Sequence, residues 1–398
     1  MIGSCSWMQC TLRPVTNSID MIERLIAFDT TSRNSNLELM DFVGAYLEDL
    51  GVASELVHND AGTKANLYAT LGPTDRPGIA LSGHTDVVPV DGQDWDTDPF
   101  VVDARDERLY GRGTSDMKSF IGICLALAPE FLARDIATPL HLAFSYDEEV
   151  GCLGVRGLID ALAGRPIKPS AVIIGEPTMM NVIRAHKGKL STRCCVRGHE
   201  AHSSLSHIGV NAVEAAAEAV AYLKGMARRH RDEGPFDTEL TPSYTTVHTG
   251  TIHGGTALNI VPRDCAFEFE FRHLPEDDPH ALLEELRRHV SENIEPEMHA
   301  TEPGTGFTFE PMSHIPGLST DEDAEVVQLA MALTGRNTTG KVSFGTEAGL
   351  FQNGGMPAVV CGPGSIDQAH KPNEFIERDQ ITQCEAFLRK LFERCWSS

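Results

Sequence analysis

The chain has 398 residues, and its 57 Asp and Glu against 33 Lys and Arg leave a formal net charge of -24. That balance disfavours nucleic acid and anionic membranes as partners, and no apolar run approaches the roughly 20 residues that a membrane helix needs. The length suits about two or three domains. Ten cysteines form no C-x-x-C pair, and the Met1 to Leu12 stretch lacks both a basic segment and a long apolar run. They read as reduced thiols of a cytoplasmic protein, not as disulfides or a cysteine zinc site.

In chain order, Asn17-Ser18 reads as a helix cap ahead of Ile19, Ile22, Leu25 and Ile26 at helical spacing. A second helix is expected from Leu37 to Leu50, ended by Gly51. Val57 and Asn66–Leu71 read as strands on either side of a turn. The apolar run Ile79–Ser82 then enters Gly83-His84-Thr85-Asp86. Beyond the carboxyl end of a strand in an open α/β sheet, a histidine is placed for a ligand. Asp86, two residues on, points the same way and can accept the proton on the other ring nitrogen.

Leu109–Lys118 is a glycine-rich turn opening a helix over Ser119–Leu132. It has neither phosphate-loop nor dinucleotide spacing, which leaves Asp116 as its candidate oxygen ligand. The strand Leu140–Tyr146 ends in Asp147-Glu148-Glu149, and Ala171–Gly175 runs directly into Glu176. Pro357–Gly362 is a late strand followed by His370. Four strands and one loop therefore deliver His84, Asp116, Glu149, Glu176 and His370 to one sheet edge. Two imidazoles and three carboxylates suit zinc, cobalt or manganese, and a carboxylate shared between ions completes a two-metal hydrolytic site.

The middle of the chain differs. Leu190–Arg197, Tyr244–Ile252 and Asp264–Arg272 read as strands, with helices over Val210–Met226 and after Asp278-Pro279, and a last strand within Pro296–Phe309. The order βαββαβ is ferredoxin-like. Period two places Phe267, Phe269 and Phe271 on one face of their strand and Glu268, Glu270 and Arg272 on the other. The expected fold class is α/β. A catalytic domain in two parts, residues 17–188 and 311–398, is interrupted by an inserted domain over residues 189–310. A helix is expected over Asp321–Thr334, and no G-x-S-x-G elbow exists to support a serine hydrolase.

Six runs together resemble the M20 metallopeptidase and deacylase family: Ser82–Asp86, Gly111–Lys118, Asp147–Gly151, Gly175–Thr178, Gly198–Ser204 and Asp367–Glu374. The resemblance covers nearly the whole chain after Asn17. It implies a co-catalytic zinc-peptidase-like α/β domain with a mixed twisted sheet, and a ferredoxin-like insert serving as lid and homodimer interface. It also implies two divalent metal ions, zinc with cobalt able to substitute. His84 and Glu176 hold one ion, Glu149 and His370 the other, and Asp116 bridges them. Asp86 orients His84, and Glu148 is the general base for attack of a metal-activated water on an amide.

By the same resemblance His202 stabilises the oxyanion in the other subunit's site, Arg272 with Asn259 clamps a substrate α-carboxylate, and the peptide after Asp116 is cis. Within the family, Ser343–Ala348 and His370–Glu374 resemble the branch that removes acetyl from N2-acetyl-L-ornithine in arginine biosynthesis. Glu347 is then a candidate to meet the side-chain ammonium. Alternatives are desuccinylation of N-succinyl-diaminopimelate or a broader N-acyl-amino-acid hydrolase, and, more remotely, a non-catalytic amino-acid-binding protein.

Overall fold

The computed structural model describes residues 17–397; the Met1 to Leu12 stretch, with Cys5 and Cys10, lies outside them. The chain divides into two compact units. One takes the described residues up to Arg184 together with Ser319–Gly340 and the chain from Thr346 on. The other is Ala185–Leu318 with Lys341–Gly345. Each has its own apolar core. The eight described cysteines are free, and all but Cys195 are buried.

The first unit is built on a mixed sheet. Its main strands run in the order Ser54–His58, Ala65–Leu71, Leu140–Ser145, Ile79–His84, Ala171–Pro177 and Ala358–Gly362. The last four of these are mutually parallel. Leu140–Ser145, Ala171–Pro177 and Ala358–Gly362 are buried at every residue. A strand covered on both faces has no use for alternating polarity, so these segments read as continuous apolar runs. Their acids and the metal-type imidazoles are therefore confined to the last residues of the strands or just beyond them, and all four carboxyl ends point to the same edge.

The helix Lys118–Leu132 packs across this sheet through Phe120 and Ile121. Gly175 is required for that contact, because a Cβ there would lie 2.1 Å from carbons of the Phe120 ring. The strand bearing Glu176 and the helix that follows Asp116 are thereby held in close approach.

In the second unit, strands run in the order Thr246–Gly254, Asp264–His273, Gly188–Arg197 and Gly306–Ile315, all antiparallel. With helices Ala212–Glu233 and Pro279–His289 this is a ferredoxin-like βαββαβ unit. Phe267, Phe269 and Phe271 are buried under the helices, and the intervening residues are half-buried. The strand expected within Pro296–Phe309 begins only at Gly306. Glu295–Thr301 is helical, with Pro296 in the first turn, where its missing N–H has no intrahelical partner to lose. The helix expected to end at Met226 runs on to Glu233 and stops at Gly234, whose φ of 80° suits glycine. The helix expected from Asp321 begins at Glu325.

Candidate metal and active site

His84 closes its strand with its ring buried. Its Nδ1 lies 2.9 Å from the carbonyl oxygen of Asp86 and 3.5 Å from that residue's carboxylate. The backbone carbonyl thus makes the closer orienting contact, and the Asp86 carboxylate does more than the sequence suggested. It accepts the N–H of Glu148 at 3.1 Å, that of Glu149 at 3.3 Å and the Ser32 hydroxyl at 2.7 Å. One buried acid therefore fixes both the histidine and the acidic loop. Burial pushes the Asp86 carboxyl up, but its contacts with His84 and Ser32 and the Glu148 N–H hold it below the usual carboxylate range.

Asp116 stands between two His–Glu pairs. Its Oδ1 is 3.0 Å from His84 Nε2, which is itself 3.6 Å from Glu176 Oε1. Its Oδ2 is 3.4 Å from His370 Nε2, which is 2.9 Å from Glu149 Oε2. Each oxygen of one carboxylate therefore faces one imidazole and one further acid. Ligand-type atoms of His84, Asp116 and Glu149 all lie within 4.8 Å of one another, and so do those of His84, Glu148 and Glu176. The five groups expected at the rim meet there. The Asp116–Met117 peptide is cis, as the resemblance implied.

The electrostatics of this cluster fit a pair of divalent cations. Burial pushes Glu148 up to about 8 and Glu149 up to about 7, and neighbouring acids add to both. Burial likewise raises Glu176 well above its ordinary range. His370 is pushed up to about 10 by its contacts with Asp116 and Glu149. Burial would raise Asp116 too, but the two imidazoles hold it below the carboxylate range. Buried acids in such excess over cationic partners are costly. Divalent ions held here would supply the missing positive charge, and the mix of imidazole nitrogen and carboxylate oxygen suits zinc-type metals.

Glu148 differs from the other acids in its surroundings. Its Oε1 accepts from the Cys152 thiol at 3.3 Å. Glu347 is buried behind Ser145: its Oε1 accepts that hydroxyl at 2.5 Å, while its Oε2 has no hydrogen-bond partner among the described residues. The remaining candidates belong to the second unit. His202 is exposed, with Nδ1 2.8 Å from the Ser204 hydroxyl, and the Ser203 N–H donates to the Asn259 carbonyl at 3.0 Å, so His202 and Asn259 share one corner. Arg272 sits elsewhere. Its Nε donates to Glu270 at 2.9 Å. Asp264 pairs with Arg197 and Arg272 with Lys189, which sets Arg272 eight residues along the strand, about 26 Å at ~3.3 Å per residue, from the end near the corner that carries His202. Arg272 and Asn259 of one chain cannot clamp one carboxylate.

Sequence reasoning left three residues without a role. Arg112 and Glu374 are buried against each other, and Gln93 contacts both Arg112 and the His370 carbonyl. The first two fall inside the motifs, but nothing in their spacing announces that they meet.

Comparison with known proteins places this geometry. Residues 80–394 match peptidase family M20/M25/M40. An acetylornithine deacetylase of Myxococcus xanthus is 36% identical over 378 residues, covering 93% of this chain and 95% of its own length. An M20 family metallo-carboxypeptidase from Sulfolobus solfataricus superposes with a TM-score of 0.75 at 18% identity, over 94% of this chain and 98% of its own. A dinuclear metal-binding M20 peptidase from Bacillus subtilis does so with a TM-score of 0.66 at 15% identity, over 94% and 96%.

Proposed function

This chain belongs to peptidase family M20/M25/M40 and is a hydrolase acting on amide bonds, and from that premise we propose that it deacetylates N2-acetyl-L-ornithine to L-ornithine and acetate, a step of arginine biosynthesis. The observation that carries the reading is Asp116, which offers one oxygen to the His84–Glu176 pair and the other to the Glu149–His370 pair. His84, Glu176, Asp116, Glu149 and His370 are the metal ligands, with zinc the metal and cobalt a substitute. When bound, such a pair lowers the pKa of a water between the ions and polarises the amide carbonyl.

Glu148 is the general base. It takes a proton from the attacking water as the new C–O bond forms, then delivers that proton to the amine nitrogen as the C–N bond breaks. Asp86 holds its backbone through the Glu148 N–H, so the carboxylate starts in place. Arg272 pairs with the substrate α-carboxylate, which its planar fork suits. His202 and Asn259 serve the oxyanion and carboxylate of a second copy's site, with the insert as lid and dimer interface. The length of strand Asp264–His273 between Arg272 and the end that carries His202 and Asn259 supports that division of labour. The unpartnered Oε2 of Glu347 is offered to the ornithine ammonium. The setting is the cytoplasm.

Zinc- or cobalt-loaded protein assayed on N2-acetyl-L-ornithine, N-succinyl-diaminopimelate and N-acetylmethionine tests the substrate. A clear preference for the first is expected; equal rates on all three would replace the reading with that of a broad N-acyl-amino-acid hydrolase.

A further inference from the structure

We propose that Glu374, Arg112 and Gln93 are positioning residues that clamp the Asp116 loop to the His370 loop and so set the spacing of the two metal sites; this rests on the two-metal reading above. Glu374 lies on the loop just after His370, and it is 1% exposed. Its Oε1 accepts the backbone N–H of Gly113 at 3.1 Å, of Ser115 at 2.7 Å and of Asp116 at 3.0 Å. Its Oε2 accepts from Gly113 at 3.1 Å and from Arg112 at 2.7 Å. A single carboxylate therefore gathers the turn that ends in the bridging acid.

The other half of the clamp runs through Arg112, also 1% exposed. Its NH2 donates to Gln93 Oε1 at 2.6 Å, and its NH1 lies 3.4 Å from the Lys371 carbonyl. Gln93 in turn donates its Nε2 to the His370 carbonyl at 2.9 Å. The indole of Trp95 lies 5.1 Å from the guanidinium and its N–H donates to Gln93 at 3.1 Å, which fixes the amide's orientation. His370 and Asn373 have φ of 64° and 55°, left-handed values that His and Asn tolerate better than most side chains; the Gln93 amide on the His370 carbonyl and the Asp96 N–H on Asn373 Oδ1 help to hold them there. A fold that needed only a buried ion pair would not require the carboxylate to collect the N–H groups of three residues ending at a metal ligand. Nor would it require the amide on the far side to hold the carbonyl of another.

The test is cobalt binding to metal-free protein, followed by calorimetry and by the visible d–d spectrum. Wild type is expected to take up two ions. Glu374→Gln, which replaces an acceptor oxygen with a donor, is expected to weaken binding about 10- to 100-fold, the usual range for outer-shell partners, and to change the spectrum. Glu374→Asp is expected to recover part of the affinity. Leu388→Ala, in the core away from the loop, serves as a control of lowered melting temperature. Gln93→Ala removes a half-buried amide and keeps the measurement available where Glu374→Gln fails to fold. It is expected to weaken the second, His370-side ion several-fold and leave the first unchanged. The clamp is overturned if Gln93→Ala and any folded Glu374→Gln bind both ions with wild-type affinity and spectrum, or lose no more affinity than Leu388→Ala. Wild-type protein that takes up no cobalt would instead overturn the two-metal reading itself.

Discussion

The two sheets of this chain handle charge in opposite ways. In the first unit, Leu140–Ser145, Ala171–Pro177 and Ala358–Gly362 are buried throughout, and acids and imidazoles accumulate at or just beyond their carboxyl ends. In the second unit, charge alternates along Asp264–His273: Glu268 and Glu270 face outward and meet Arg193 and Lys189 on the neighbouring strand. A sheet covered on both faces has only its ends left as polar surface, so its charged groups are forced together. A sheet with one open face spreads them out and neutralises them in pairs. Convergence of unlike ligands is thus a consequence of double burial as much as of the residues themselves.

Substitutions at the rim, in the buried clamp and on the open face should rank accordingly. Glu148→Gln is expected to lower kcat/KM on N2-acetyl-L-ornithine by about two to four powers of ten, the usual range for a lost general base. Metal content by elemental analysis should be unchanged; retention of the full rate would assign the proton transfer elsewhere. Arg112→Leu leaves Glu374 buried without its ion-pair partner and is expected to cost about 3–5 kcal/mol of stability in urea unfolding. Arg193→Ala removes an ion pair on the open face and should leave the urea midpoint close to that of wild type. A loss at Arg193 matching that at Arg112 would erase the distinction between the two sheets.

Acid offers a contrast of intermediate size. Burial pushes His141 in the first unit and His186 in the second down to about 4, and it lowers His230 and His273. Between about pH 6.5 and pH 4 the unfolded chain binds protons on these rings that the folded chain does not. The stability these four rings contribute is therefore full above that window and is lost as pH drops through it. Each fully shifted ring contributes up to about 3 kcal/mol. Because the raised acids Glu148, Glu149 and Glu176 pull the other way over the same range, the ring is read by difference: in metal-free protein melted from pH 7.5 to pH 4.5, His141→Gln should lose less stability on acidification than wild type. An unchanged slope in that variant would remove His141 from the account.

Much of this was legible in the residues, for a reason that differs by region. Continuous apolar runs ending in His84, Glu149 or Glu176 announce buried parallel strands, and the phenylalanine alternation at Phe267, Phe269 and Phe271 announces a one-faced sheet. The Pro296 segment misled because it holds two elements: Glu295–Thr301 is a short helix that seats Met298 in the second unit's core, and the strand begins only at Gly306. Asp86 was read for its histidine alone, since its hydrogen bonds to the Glu148 and Glu149 backbone cross more than sixty positions. The pairing of Arg112 with Glu374 spans 262 positions and has no local signature. Nor does spacing along the chain say that Arg272 and Asn259 belong to opposite ends of the strand Asp264–His273.

Glu148 and Glu149 are consecutive, so the proposed proton acceptor and the proposed ion holder ride on one stretch of backbone with Cα atoms about 3.8 Å apart. Their relative reach is set by covalent bonds, whereas the distance from Glu149 to His370 depends on two loops staying docked. As the protein warms or ages, the covalent spacing persists and the docking loosens. Such a catalyst should fail by shedding cations while its base remains well aimed, and a resupply of zinc should restore turnover long after heating has begun to silence it.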